Sequence, residues 1–130
     1  AKNEIKQYIR LGRCMGMIFQ LSDDCIDFEA SPELAKKPVQ SDFEQGVITL
    51  PLIHAFQKRE GLKQKAKANE ISRNEINAAV FETGGLSFTR MVSKKYYNKA
   101  LSILEKLDAS EDKKARLTLI LDKVYNGLKK

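Results

Sequence analysis

Four residues in one short stretch have types and spacing suited to ion chemistry. The run FQLSDDCIDF, Phe19 to Phe28, sets Asp23, Asp24 and Asp27 among apolar neighbours, with Gln20 just ahead of them. On a helix, positions four apart stack on one side, which places Gln20 above Asp24 and Asp23 above Asp27. Burying a carboxylate costs several kcal/mol unless a cation or hydrogen bonds offset it. Crowded carboxylates also repel and raise one another's pKa. Aspartate is a poor helix-interior residue, so propensity does not account for the cluster. A hard divalent cation does. Magnesium takes one or two carboxylates, keeps waters and binds phosphate oxygens. The competing account is a wetted acidic surface, but Phe19, Leu21, Ile26 and Phe28 make the segment apolar for a fully exposed helix.

The elements that must position these groups are helical. Lys2 to Phe28 carries Ile5, Ile9, Met15, Ile18, Phe19 and Ile26 at helix-compatible steps, and Pro32 closes that region. Gly12 and Gly16 share a side, fitting either close packing within the chain or a subunit contact. A loop follows, ASPELAKKPVQSDFEQG, with Lys36, Lys37 and Asp42. A lysine ammonium there is a suitable point charge for a diphosphate. TLPLIHAFQKRE reads as a helix with Thr49 as N-cap and Pro51 in its first turn, stopping at Gly61. The basic run KREGLKQKAKANEISR reads as a solvated helix face or loop. Ser72 and Glu75 have capping-box spacing ahead of INAAVFETGG, and Gly84 with Gly85 breaks the pattern. A long helix spans Leu86 to Leu107, and Ser110 caps a last one running to Tyr125. The expected class is all-α, about five helices in a bundle.

Composition narrows the function classes. The 130 residues are 42% hydrophobic and 31% charged, with net charge +6. No apolar run is long enough to span a bilayer, and no signal peptide opens the chain. Cys14 and Cys25 are eleven apart with no second pair, which fits neither a zinc site nor a redox motif. They read as free thiols of a reducing, cytoplasmic compartment. Nucleic-acid binding would rest on net charge alone, with no recognised motif behind it. Tyr96 and Tyr97 beside Lys94 and Lys95 read as a packed helix with one tyrosine in and one out. His54, the single histidine, reads as a helix residue rather than a catalytic base.

The residues GMIFQLSDDCIDF and KKPVQSDFEQGVITLPLI resemble the C-terminal half of the trans-isoprenyl diphosphate synthases. That family carries a second motif, Phe-Gln-x-x-Asp-Asp-x-x-Asp, then Gly-Lys-Pro-x-x-x-Asp-x-x-x-Gly and Thr-Leu-Pro. Phe19, Gln20, Asp23, Asp24, Asp27, Lys37, Pro38, Asp42, Gly46, Thr49, Leu50 and Pro51 match it in register. TGGLSFTRMVSKKYYNKALSILEKL resembles, less specifically, the glycine break and long helix that follow. The likeness is nearest to bacterial medium- and long-chain enzymes, such as the large component of heptaprenyl diphosphate synthase.

The resemblance implies an isoprenoid-synthase-type helical bundle and a magnesium-dependent condensation of isopentenyl diphosphate with an allylic diphosphate. It implies that Asp23 and Asp24 hold Mg2+, supported by Asp27. Lys37 would contact the diphosphate, and Phe19, Gln20 and Asp42 would serve substrate binding. It also implies a dimer, homomeric or heteromeric. Two positions depart from the pattern: Lys36 stands where glycine is expected, and Val47 replaces a polar residue. Nothing matches the family's first aspartate-rich motif. Residues 1–130 are therefore expected to be the C-terminal portion of one synthase domain, inactive alone. The alternative is a non-catalytic helical subunit that regulates such a synthase.

Overall fold

A computed structural model describes residues 2–28 and 48–127. Six α-helices and no strand occur among the described residues: α1 Lys2–Phe28, α2 Leu50–Lys58, α3 Leu62–Lys67, α4 Arg73–Glu82, α5 Gly85–Lys106 and α6 Glu111–Tyr125. The contacts divide into two compact units, residues 1–23 with 91–130, and residues 24–90.

In the first unit, Leu11, Cys14 and Ile18 of α1 meet Ala100, Ile103 and Leu104 of α5, Leu107 just beyond its end and Leu121 of α6. Positions 100, 103 and 104 share one side of the helix, so α5 buries that face. Tyr97 donates from its hydroxyl to Asp122 Oδ1 at 2.6 Å and stacks on Tyr125 at 4.2 Å, joining α5 to α6. The hydrogen bond to Asp122, then burial, holds the Tyr97 phenol above its ordinary value of 10.0. Tyr96 and Tyr97 are both half-buried, whereas the one-in, one-out reading placed one in solvent. Ser110 caps α6 by accepting from the Lys113 N–H at 3.2 Å.

In the second unit, Cys25 and Phe28 pack with Leu52 and Ala55 of α2, Leu62 and Ala66 of α3, Ile76, Ala79 and Val80 of α4, and Leu86 of α5. The capping box at α4 forms: the Glu75 N–H donates to Ser72 Oγ at 3.1 Å and the Ser72 N–H to Glu75 Oε1 at 3.3 Å. Gly84 has φ +79°, a left-handed conformation that ends α4 and lets α5 start one residue later. His54 stacks on Phe88 at 4.4 Å, joining α2 to α5.

Of the two readings of the basic run, the helix face holds: Lys63, Lys65 and Lys67 of α3 are exposed, while Leu62 and Ala66 are buried and tie it to the core. Gly61 does follow α2, but at φ +83° it also starts α3. Gly12 and Gly16 are exposed, and a Cβ at either meets nothing within 4 Å, so no packing within the described residues uses them.

Candidate functional site

The site residues sit on the last turns of α1 and the segment leading into α2. A helix of 27 residues carries apolar side chains on two sides. The core side is Leu11, Cys14, Ile18, Leu21, Cys25 and Phe28, all buried. The outer side has Ile5 at 61%, Ile9 at 50% and Phe19 at 54% exposure, and continues to Asp23. At 100° per residue, Ile5, Ile9, Gly12, Gly16, Phe19 and Asp23 fall on one side, opposite Ile18.

The aspartates are therefore treated differently. Asp23 is exposed, as are Phe19 and Gln20. Asp24 is 7% exposed, at the edge of the core side. Adjacent helical positions point about 100° apart, so the two carboxylates do not share one direction. The four-on-one-side reading holds for Asp23 with Gln20, while Asp24 turns inward. The Asp27 side chain lies outside the described residues, and so do Lys36, Lys37, Pro38, Asp42, Gly46 and Val47. Among the described residues, no three His, Cys, Asp or Glu side chains group closely enough to hold a metal. Asp23 and Asp24 are of the hard-oxygen type that suits magnesium.

Cys25, next to Asp24, reports on local electrostatics. Burial pushes its thiol up, the Arg90 charge pulls it down, and the Asp24 charge raises it again. Arg90 thus acts electrostatically on the last turn of α1. Arg73, buried at 7%, lies with its guanidinium 5.5 Å from the centre of the Phe28 ring. Neither arginine was singled out from the sequence. Arg73 lies 45 residues from Phe28 and Arg90 lies 65 from Cys25, and neither belongs to a local motif.

Thr49 is the N-cap of α2 with φ −100° and ψ 164°, as expected, yet its side chain makes no capping bond. Its hydroxyl oxygen is buried without a hydrogen-bond partner among the described residues. Pro51, in the first turn, is buried, and a missing N–H there leaves no helix bond unmade. A separate cavity of about 350 Å³ is lined by Arg59, Leu62, Lys65, Ile71, Glu75 and Glu82 among others. None of the candidate site residues borders it, and its cations and carboxylates are mixed.

Comparison with known proteins places this arrangement. The structure matches that of geranylgeranyl pyrophosphate synthase from Bacteroides thetaiotaomicron with TM-score 0.78 and 25% identity, over 98% of this chain and 44% of the other. The fold is thus the helical isoprenoid-synthase fold. A family profile described as polyprenyl synthetase matches residues 1–83, which include every candidate site residue. Octaprenyl diphosphate synthase of Haemophilus influenzae is 33% identical over 117 residues, covering 83% of this chain and 35% of that protein. Heptaprenyl diphosphate synthase component 2 of Bacillus subtilis is 32% identical over 124 residues, covering 92% of this chain and 34% of that protein. The chain belongs to the polyprenyl synthetase family. It spans about a third of the length of these two relatives.

Proposed function

We propose that these residues are the C-terminal portion of a trans-polyprenyl diphosphate synthase that joins isopentenyl diphosphate to an allylic diphosphate. The observation that carries this reading is the run of twelve matched positions from Phe19 to Pro51 inside the family match to residues 1–83. Asp23 and Asp24 would hold magnesium at the allylic diphosphate, with Asp27 in support. A bound magnesium ion supplies positive charge where negative charge builds on the departing diphosphate. The Lys37 ammonium adds to it as a point charge on the same phosphates. Phe19 and Gln20 line the side that receives isopentenyl diphosphate, and Asp42 contributes to substrate binding. The exposed positions of Phe19, Gln20 and Asp23 support this, since each presents its side chain outward from α1. Once the allylic cation forms, the isopentenyl double bond attacks it and a proton leaves, with diphosphate the nearest base. A site closed to water protects that cation. With one aspartate-rich helix of two, this portion is expected to be inactive alone.

The test places these residues in a complete synthase and follows magnesium-dependent incorporation of isopentenyl diphosphate. Asp23→Ala should lower the rate by roughly 100-fold or more, the scale for removing one electrostatic stabiliser. Undiminished elongation defeats the assignment. A second reading, a helical partner subunit without its own chemistry, draws on the "component 2" in the name of a relative. It is favoured instead if the chain, added to a separate synthase polypeptide, changes elongation equally with Asp23 or Ala at that position.

A further inference from the structure

Arg73 stands where neither its helix nor its burial favours a cation. It is the first residue of α4 and is only 7% exposed. A helix N-terminus carries partial positive charge, so a cation in its first turn is unfavourable. Burial adds a desolvation cost. The end of α1 has the opposite need. Its last carbonyls have no partner within the helix and carry partial negative charge, and its last turn contains no basic residue. Asp23, Asp24 and Asp27 bring further negative charge to that end. Arg73 brings a cation there from another helix. Its guanidinium lies 5.5 Å from the centre of the ring of Phe28, the last residue of α1, and Phe28 is itself buried. Asp24 and Phe28 are four apart, on one side of α1, and both are buried. All three residues belong to the second compact unit.

We propose that Arg73 is a positioning residue: a cation from α4 that closes the C-terminus of α1 across the Phe28 ring and keeps the turn bearing Asp24 helical. The metal role of Asp24 rests on the function proposed above, whereas the closure of the helix does not. A cation within about 6 Å of an aromatic centre is attracted to the ring face. The same charge is favourable at the negative end of α1, so a residue unsuited to its own helix suits its neighbour. The sign of the effect on metal separates positioning from plain charge. Removing a cation from the neighbourhood of Asp24 would by charge alone tighten metal binding, because like charges repel. Loss of Arg73 weakens metal binding only if the residue holds Asp24 in place. Core filling is separable too, since an apolar side chain of similar size in place of a buried charge is often neutral or stabilising.

The experiment uses a complete synthase containing these residues. Hydrogen exchange read by mass spectrometry follows the amides of residues 25–28, which are protected only while that turn is helical. Titration with Mn2+ in the presence of inorganic diphosphate, read by electron paramagnetic resonance, follows metal binding without turnover. Arg73→Met should melt with the parent, yet speed exchange of these amides roughly ten-fold. It should also weaken Mn2+ binding roughly ten-fold, the scale for losing an outer support of a metal ligand. Phe28→Leu, which removes the ring face and no charge, should do the same. Arg73→Lys keeps a cation and should stay within about three-fold of the parent in both readouts. Ser110→Ala removes the α6 cap and should leave both within about two-fold, although it lowers stability. The inference is overturned if Arg73→Met exchanges and binds Mn2+ like the parent, if it binds Mn2+ more tightly, if Arg73→Lys is as impaired as Arg73→Met, or if Ser110→Ala matches Arg73→Met. Asp24→Asn tells the two readings apart. If it weakens Mn2+ binding while Arg73→Met does not, this inference alone falls. If it leaves Mn2+ binding unchanged, the metal assignment falls and this inference with it.

Discussion

Gly85 opens α5 against the first turn of α2. A Cβ there would lie 2.6 Å from the Pro51 carbonyl oxygen and 3.1 Å from both Val80 Cγ1 and Val80 O. Two of those three atoms are backbone, and Pro51 is buried in a helix whose φ at that position is set by the ring. Neither can swing aside as a flexible side chain does. The Gly85→Ala variant therefore forces α2 and α5 apart. Overpacking of this kind costs about 1–3 kcal/mol, and alanine's better helix propensity returns at most a fraction of a kcal/mol at a first helical position. The expected net loss is about 1–2 kcal/mol, or about 3–8 °C in Tm for a chain of this size. Gly12→Ala is the internal comparison. Gly12 is mid-helix, its Cβ would meet nothing within 4 Å, and alanine there should stabilise by about 0.5–1 kcal/mol. Thermal and urea melts followed by far-ultraviolet circular dichroism measure both. A Gly85→Ala chain melting at or above the parent refutes the close approach. A Gly12→Ala chain losing as much as Gly85→Ala refutes the open face of α1.

Tyr97→Phe removes the donor to Asp122 and should cost about 1–2 kcal/mol near neutral pH, read by urea denaturation. Tyr97's folded pKa is raised, so its contribution is full below the ordinary phenol value and is lost as pH rises through the folded one. The gap between parent and variant should shrink above pH about 10, and a gap independent of pH would count against the bond. Ser72→Ala removes the hydroxyl that accepts from the Glu75 N–H while leaving the backbone N–H that donates to Glu75 Oε1, and should cost about 1 kcal/mol in the same assay, whereas an unchanged midpoint would show the cap to be idle.

The helix bounds were largely legible because local signals mark them. Lys2–Phe28 follows from apolar steps and the proline beyond it, α4 from Ser72 with Glu75, and the α4–α5 break from Gly84. Such signals act within a turn or two of chain, so they survive without tertiary context. α3 did not read this way. Six residues with three lysines have little helical stability of their own in water, and only burial of Leu62 and Ala66 holds them. The candidate site was legible as a pattern of residue types at fixed spacing, and that pattern lies within the family match to residues 1–83.

From the chain alone came the helical class, the family likeness and the identity of the acidic and basic groups, since these depend on residue type and spacing. Which side of α1 is buried was decided only in three dimensions. Ile5, Ile9 and Phe19 are as apolar as Leu11, Ile18 and Leu21, and a helix apolar on two sides has two possible core faces. Partners distant in sequence, Ala100 to Leu107 and Leu121, selected one of them. That choice left Asp23 facing water and carried Asp24 inward, because neighbouring helical positions point about 100° apart.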